Sequence, residues 1–277
     1  MAASKVTTAK SRPLSRQFLT RITGVENAAS DAARNVTDGP SDLLAVELDN
    51  LVVSGSANWL KLYDDATSAW TPGTTKPVFI MPVKAYAAAN GGRATGFATT
   101  YCLEGYPFAE GVSTAASKEN GDTATSPPDA SFIVRLIHRN LMAAVIVPPS
   151  TALLTGLRTM AVGGAAETLR AEIGDSDNNS VDNITGTVAT VYRVKVNASQ
   201  NPAEDVYVRI YNTASPTVGT TAAELLIPCR RGREFTWEFP SGVYLDTAIS
   251  VATVKGKGAT AGNSAPTGIV DVTIDLA

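Results

Sequence analysis

The chain repeats itself at a nearly fixed spacing, which restricts it to folds that can be built twice. At an offset of 148, Leu44-Ala45-Val46-Glu47-Leu48 lies over Tyr192-Arg193-Val194-Lys195-Val196. The same offset places Trp59-Leu60-Lys61-Leu62-Tyr63 over Tyr207-Val208-Arg209-Ile210-Tyr211, with nothing inserted between the two segments. Gly73-Thr74-Thr75 then meets Gly219-Thr220-Thr221, and Ile80-Met81-Pro82 meets Leu226-Ile227-Pro228, at an offset of 146. Tyr101 and Leu103 align with Trp237 and Phe239, and Val112-Ser113 with Ile249-Ser250 at an offset of 137. The first copy therefore carries nine or ten extra residues within 84–100, the stretch with Tyr86, Asn90-Gly91-Gly92 and Arg93. They read as a longer loop between two strands.

Each copy reads as strands. Val270, Val272, Ile274 and Leu276 alternate with Asp271, Thr273 and Asp275, and Phe235, Trp237 and Phe239 repeat that period of two. In the segments around Trp59 and Tyr207 the aliphatic residues take one face, and aromatic and cationic residues share the other. A helix would scatter them around its axis. Pro and Gly fall between the runs, at Pro72-Gly73, Pro216 to Gly219 and Pro240-Ser241-Gly242. The expected fold class is all-β, with two tandem antiparallel β-sandwich, jelly-roll-like domains at 38–140 and 184–277.

Two stretches fall outside the copies. Residues 1–37 read as a basic, partly helical docking arm, with Lys5, Lys10, Arg12, Arg16 and Arg21 ahead of the first acid, Glu26. Ser11 caps the expected helix, which starts near Pro13 and lines up Leu14, Phe18, Ile22, Val25 and Ala29. Residues 141–183 read as a partly helical linker with Leu153, Leu154, Leu157 and Met160, then an Ala-rich run over 165–172.

Catalytic chemistry has little to stand on. The lone histidine, His138, ends an alternating run, and no GxSxG motif accompanies it. Cys102 and Cys229 form no CxxC or metal spacing and read as small buried residues of their own domains. Asp175-Ser176-Asp177-Asn178-Asn179 opens like a calcium loop, but Ser180 and Gly186 stand where Gly and Glu are required. Glu104, Glu110, Asp122 and Glu238 offer carboxylates, yet no two are set apart as a glycosidase pair. No catalytic, cofactor or metal residue is assigned, and the chain is expected not to be an enzyme.

Charge and composition point to assembly. A net charge of −3 gives no general attraction to nucleic acid or anionic membrane. No window reaches the roughly 18 apolar residues of a membrane span, and the start lacks the apolar core of a secretory signal. Only 18% of residues are charged, below the roughly 25% usual for soluble domains, as in β-rich proteins partly covered by neighbours. Candidate assembly contacts are Lys5, Lys10, Arg12, Arg16, Phe18 and Arg21 in the arm, with Arg230, Arg231 and Arg233 at an expected hairpin tip. Trp59, Tyr63, Tyr207 and Tyr211 are candidate surface aromatics for a glycan or receptor.

The second copy also carries Val208-Arg209-Ile210-Tyr211-Asn212, Ser215-Pro216-Thr217-Val218-Gly219-Thr220, Ile227-Pro228, Phe239-Pro240-Ser241-Gly242, Ala248-Ile249-Ser250 with Ala252-Thr253, and Ala265-Pro266. This run resembles a small β-sandwich module encoded among virion genes of tailed bacteriophages, including cyanophages and other aquatic phages. The first copy is covered more loosely, with Trp70-Thr71-Pro72-Gly73 at the Pro-Thr-Val-Gly turn, and the arm and linker are not covered. The resemblance implies a non-enzymatic virion structural protein, made in the host cytoplasm and carried in the particle, with no catalytic residues. Capsid decoration, or cement, through the N-terminal arm is the leading expectation. A neck, tail or fibre component, with or without receptor or carbohydrate binding, is the alternative. The expected partners are other virion proteins (the major capsid protein or neck and tail proteins) and further copies of the chain. A trimer is one closed form this allows; nucleic acid, membrane and cofactors are not expected.

Overall fold

A computed structural model describes residues 20–25, 34–37, 39–49, 57–65, 73–84, 97–124, 126–128, 133–140, 169–173 and 181–277. All regular structure among them is β, in antiparallel pairs. The first half supplies β1 (Thr20–Val25), β2 (Arg34–Asn35), β3 (Ser41–Asp49), β4 (Ala57–Asp64), β5 (Phe79–Lys84), β6 (Phe97–Phe108), β7 (Val112–Ser117) and β8 (Ile133–Asn140). The second half supplies β9 (Leu169–Ile173), β10 (Asp182–Thr185), β11 (Ala189–Asn197), β12 (Val206–Tyr211), β13 (Leu225–Cys229), β14 (Glu234–Leu245), β15 (Ile249–Val254) and β16 (Asp271–Leu276).

The strands form two eight-stranded sheets that each run through both halves. The first has the order β1-β8-β3-β6-β14-β11-β16-β9, and the second β10-β15-β12-β13-β5-β4-β7-β2. Read inward from its two ends, each sheet shows the same order once eight is added to the strand number. The halves meet edge to edge, β6 against β14 and β5 against β13. Leu226 faces Ile80 in one join, and Glu238 faces Tyr101 in the other.

Both joins place like positions opposite each other. Ile80 and Leu226 match at the offset of 146. Tyr101 pairs with Ala45 in the first half as Glu238 pairs with Arg193 in the second, so β6 and β14 correspond at an offset of 137. This corrects the alignment of Tyr101 with Trp237 by one residue. Side chains alternate along a strand, so a one-residue slip exchanges faces. Tyr101 lies on the outer face, whereas Trp237, opposite Cys102, is buried in the core. Matching shifts of register fall at Leu44 in β3 and Tyr192 in β11, and Gly105 and Gly242 supply positive φ, 79° and 72°, at corresponding places in β6 and β14. An added Cβ at Gly242 would lie 2.3 Å from the Thr190 side chain, so a larger residue there is both strained and clashing.

The core lies between the sheets and is continuous across the joins. Leu43, Val46 and Leu48 face inward from β3, Val194 and Val196 from β11, and Leu60, Leu62, Val208 and Ile210 from the other sheet. Phe79 stacks on Trp237 with ring centroids 4.9 Å apart, so an aromatic pair from opposite halves fills the centre.

The helical expectations are overturned where the structure describes them. Thr20–Val25, inside the expected helix of the arm, is a strand paired with β8. Leu169–Ile173, overlapping the Ala-rich run of the expected partly helical linker, is a strand paired with β16. Ile22 and Val25 suit a helical spacing, yet a short isolated helix is marginal, and the open edge of β8 offers a sheet to join. Residues 1–19 and 141–168, and residues 85–96 of the expected insertion with Tyr86, Asn90 and Arg93, lie outside the described residues.

Candidate functional site

The outer face of the second sheet carries a row of directly opposed residues across the join. Ala115 pairs with Lys61, Lys61 with Ile80, Ile80 with Leu226, Leu226 with Arg209, and Arg209 with Ala252. Strand alternation sends Lys61 and Arg209 away from the core, yet they are 1% and 0% exposed. Loops after β7 and β15 cover them. Lys61 Nζ donates to Gly121 O at 2.7 Å and Ala124 O at 3.4 Å. Arg209 Nε donates to Gly258 O at 3.1 Å, and Arg209 Nη2 donates to Ala261 O. Each cation thus satisfies the carbonyls of the loop above it.

Asp122 fastens one loop to the other. From the first half it accepts hydrogen bonds from Ala259 N, from Thr260 N and Oγ1 at 3.1 Å each, and from Ala261 N at 2.9 Å. The carboxylate is 6% exposed and lies in the fields of both Lys61 and Arg209. Gly258, at φ 107°, permits the approach, since a Cβ there would stand 2.7 Å from Asp122 Oδ2. Asn120 Nδ2 adds a bond to Ala223 O at 3.1 Å. Together these groups form a buried polar clasp over the join.

Burial pushes the Lys61 ammonium down to about 8, against the opposing pull of Asp122 and then Glu119. The unfolded chain therefore binds the extra proton between pH 8 and the ordinary value of 10.5, and the stability attributable to this group rises over that window. In Lys61→Met that rise is absent. Urea titrations of both proteins at pH 7.5 and 10 are expected to shift the difference by about 1–3 kcal/mol in favour of the wild type at pH 10. A difference independent of pH would contradict the assignment.

A second cross-join cluster sits near the β13–β14 hairpin. Arg230 pairs with Asp64 of the first half at 2.8 Å and Asp205 of the second at 2.5 Å, donates to Pro107 O at 2.7 Å, and lies 5.2 Å from the Tyr106 ring centroid. Thr236 N donates to Glu104 Oε2 at 2.9 Å. Arg230, whose side chain is 23% exposed, is thus already paired within the molecule. Arg231 and Arg233 are exposed at the tip, where Gly232 turns the chain at φ 65°.

Other expected site residues divide in the same way. Tyr63, Tyr207 and Tyr211 are 1%, 6% and 0% exposed, and Trp59 is half-buried, so these residues do not form an exposed aromatic platform. Arg21 pairs through its backbone with His138 on β8. Lys5, Lys10, Arg12, Arg16, Phe18 and the Asp175–Asn179 run lie outside the described residues. Glu104 and Glu238 stand at the β6–β14 join. Among the described residues no three His, Cys, Asp or Glu side chains gather as a metal site requires, and no helix is long and apolar enough to cross a membrane. Cys102 and Cys229 are buried and free; burial pushes both thiols up, Cys229 to about 12. A thiol reagent at pH 8 is expected to leave the folded protein unlabelled and to modify both cysteines in denaturant.

The clasp had a sequence signature. Continuing the offset of 137 beyond Val112 sets Gly121-Asp122-Thr123-Ala124 over Gly258-Ala259-Thr260-Ala261. The one difference that matters, Asp122 against Ala259, marks the residue that reaches across.

No protein family matches the chain, and no curated protein matches it. Among solved structures, the tandem CBM22-1–CBM22-2 domain of Paenibacillus barcinonensis Xyn10C is 7% identical, with a TM-score of 0.23, covering 94% of this chain and 91% of that one. Vicilin from Corylus avellana (hazelnut) is 11% identical, with a TM-score of 0.17, covering 97% of this chain and 77% of that one.

Proposed function

We propose that this chain is a non-enzymatic structural protein of a tailed-bacteriophage particle, formed from two tandem copies of one β-sandwich unit. Its place in that proposal is capsid decoration, or cement, with the basic N-terminal arm docking on the major capsid protein. The observation that carries the structural part is where the buried and half-buried charges go. Lys61, Arg209, Asp122, Arg230, Asp64 and Asp205 all tie loops or halves together. Charges used in this way hold a fixed shape. The phage context comes from the run of residues in the second copy that resembles the virion module. A cement protein stabilises the assembled shell because it binds that state alone.

The test is cryo-electron microscopy of intact particles made with the full chain. Density over the capsid lattice, with residues 1–37 against capsid subunits, is the expected result. Density confined to neck, tail or fibres would replace the decoration role with those placements, and absence from the particle would overturn the reading altogether.

A further inference from the structure

We infer that the join between the halves is also a docking surface for a second copy of this chain, the first half of one molecule pairing with the second half of another. Three observations support the exchange. First, the join is self-complementary: Ile80 faces Leu226 and Tyr101 faces Glu238, like position against like, so both edges already have the shape that pairs one unit with another.

Second, the polar contacts select unlike halves. Arg230 of the second half holds Asp64 of the first, and Asp122 of the first half holds Ala259, Thr260 and Ala261 of the second. The positions matching Asp64 and Asp122 are Asn212 and Ala259. Two second halves would set Arg230 against Asn212 and leave the clasp without a carboxylate. Two first halves would bring a pair of Asp122 carboxylates together. The complete set of contacts forms only between a first half and a second half, whether they belong to one chain or two.

Third, the connection permits either arrangement. The chain leaves β8 at Asn140 and enters β9 at Leu169. These strands are six steps apart in one sheet, roughly 30 Å at the usual strand spacing. A chain as long as residues 141–168 can span at most about 90 Å, a length that does not forbid the same place in a neighbouring molecule. The exchanged dimer repeats every contact of the closed monomer, so concentration decides between them. A tethered half presents itself at an effective concentration on the order of millimolar. Protein at micromolar concentration closes on itself, and protein crowded to millimolar concentration exchanges halves.

The experiment uses the full chain carrying Tyr101→Cys and Glu238→Cys, which face each other across the join on the outer face. The protein is unfolded, refolded at about 1 µM or about 1 mM, and treated when folded with a short thiol-to-thiol bridging reagent. Denaturing electrophoresis then reads whether each bridge lies within one chain or between two. The expected result is bridged monomer at the lower concentration and at least a tenfold rise in bridged dimer at the higher. Bridged monomer alone at both concentrations would overturn the proposal, as would dimers without a bridge or no bridge at all. Bridged dimer from Tyr101→Cys alone would show pairing of like halves and would also overturn it.

Discussion

Asp122→Ala is expected to cost about 3–5 kcal/mol of unfolding free energy, the scale for removing one partner from a buried charge network. The substitution strips the acceptor from Ala259 N, Thr260 N, Thr260 Oγ1 and Ala261 N, and leaves Lys61 and Arg209 without their shared counter-charge. Asp122→Asn keeps an acceptor oxygen but loses the charge, so about half the loss is expected. Thr123→Ala, at the exposed neighbouring position, should stay within about 0.5 kcal/mol of wild type. Urea unfolding followed by tryptophan fluorescence distinguishes the three. A loss under about 1 kcal/mol for Asp122→Ala would mean that the clasp does not hold the loops.

Trp237→Ala should be comparably damaging, at about 3–5 kcal/mol for an indole deleted from a close-packed core. Trp237 is 1% exposed, stacks on Phe79 at 4.9 Å, lies 5.8 Å from Tyr106, and donates from Nε1 to Pro228 O at 3.3 Å. Phe79 and Tyr106 belong to the first half, so the cavity would open at the join itself. Hydrogen exchange should accelerate first in β6 and β14, before the outer strands β8 and β16 respond. Uniform acceleration across both sheets would show instead that the molecule unfolds as one unit. Circular dichroism is the appropriate stability probe, since the substitution removes a fluorophore.

Both predictions concern contacts between distant parts of the chain, and the sequence disclosed them unevenly. Alternation in β16 and β14 was legible because a strand with one buried face must alternate, and Val272, Ile274, Trp237 and Phe239 do so. Lys61 and Arg209 were misleading for a related reason. Alternation placed them with Trp59, Tyr63, Tyr207 and Tyr211 on the face away from the core, which reads as a surface. Loops far along the chain then return to cover that face. The ion pair of Arg230 was hidden in the same way: Asp64, its partner, lies far earlier in the chain.

The strand at Thr20–Val25 shows the same limit from the other side. Its spacing fits a helix as well as a strand, and local propensity does not choose between them. The open edge of β8 does, by pairing antiparallel with the whole run from Thr20 to Val25. The sequence by itself determined what depends on near neighbours: the period of two, the turns at Gly73 and at Pro216 to Gly219, and the internal repetition; Pro240-Ser241-Gly242, read as a break between strands, lies inside β14. Only the tertiary structure decided which edges meet, which face each loop covers and which charges are buried. Those outcomes depend on residues 49 to 166 positions apart, and the free energy of pairing a strand edge or burying a carboxylate exists only once both partners are in place.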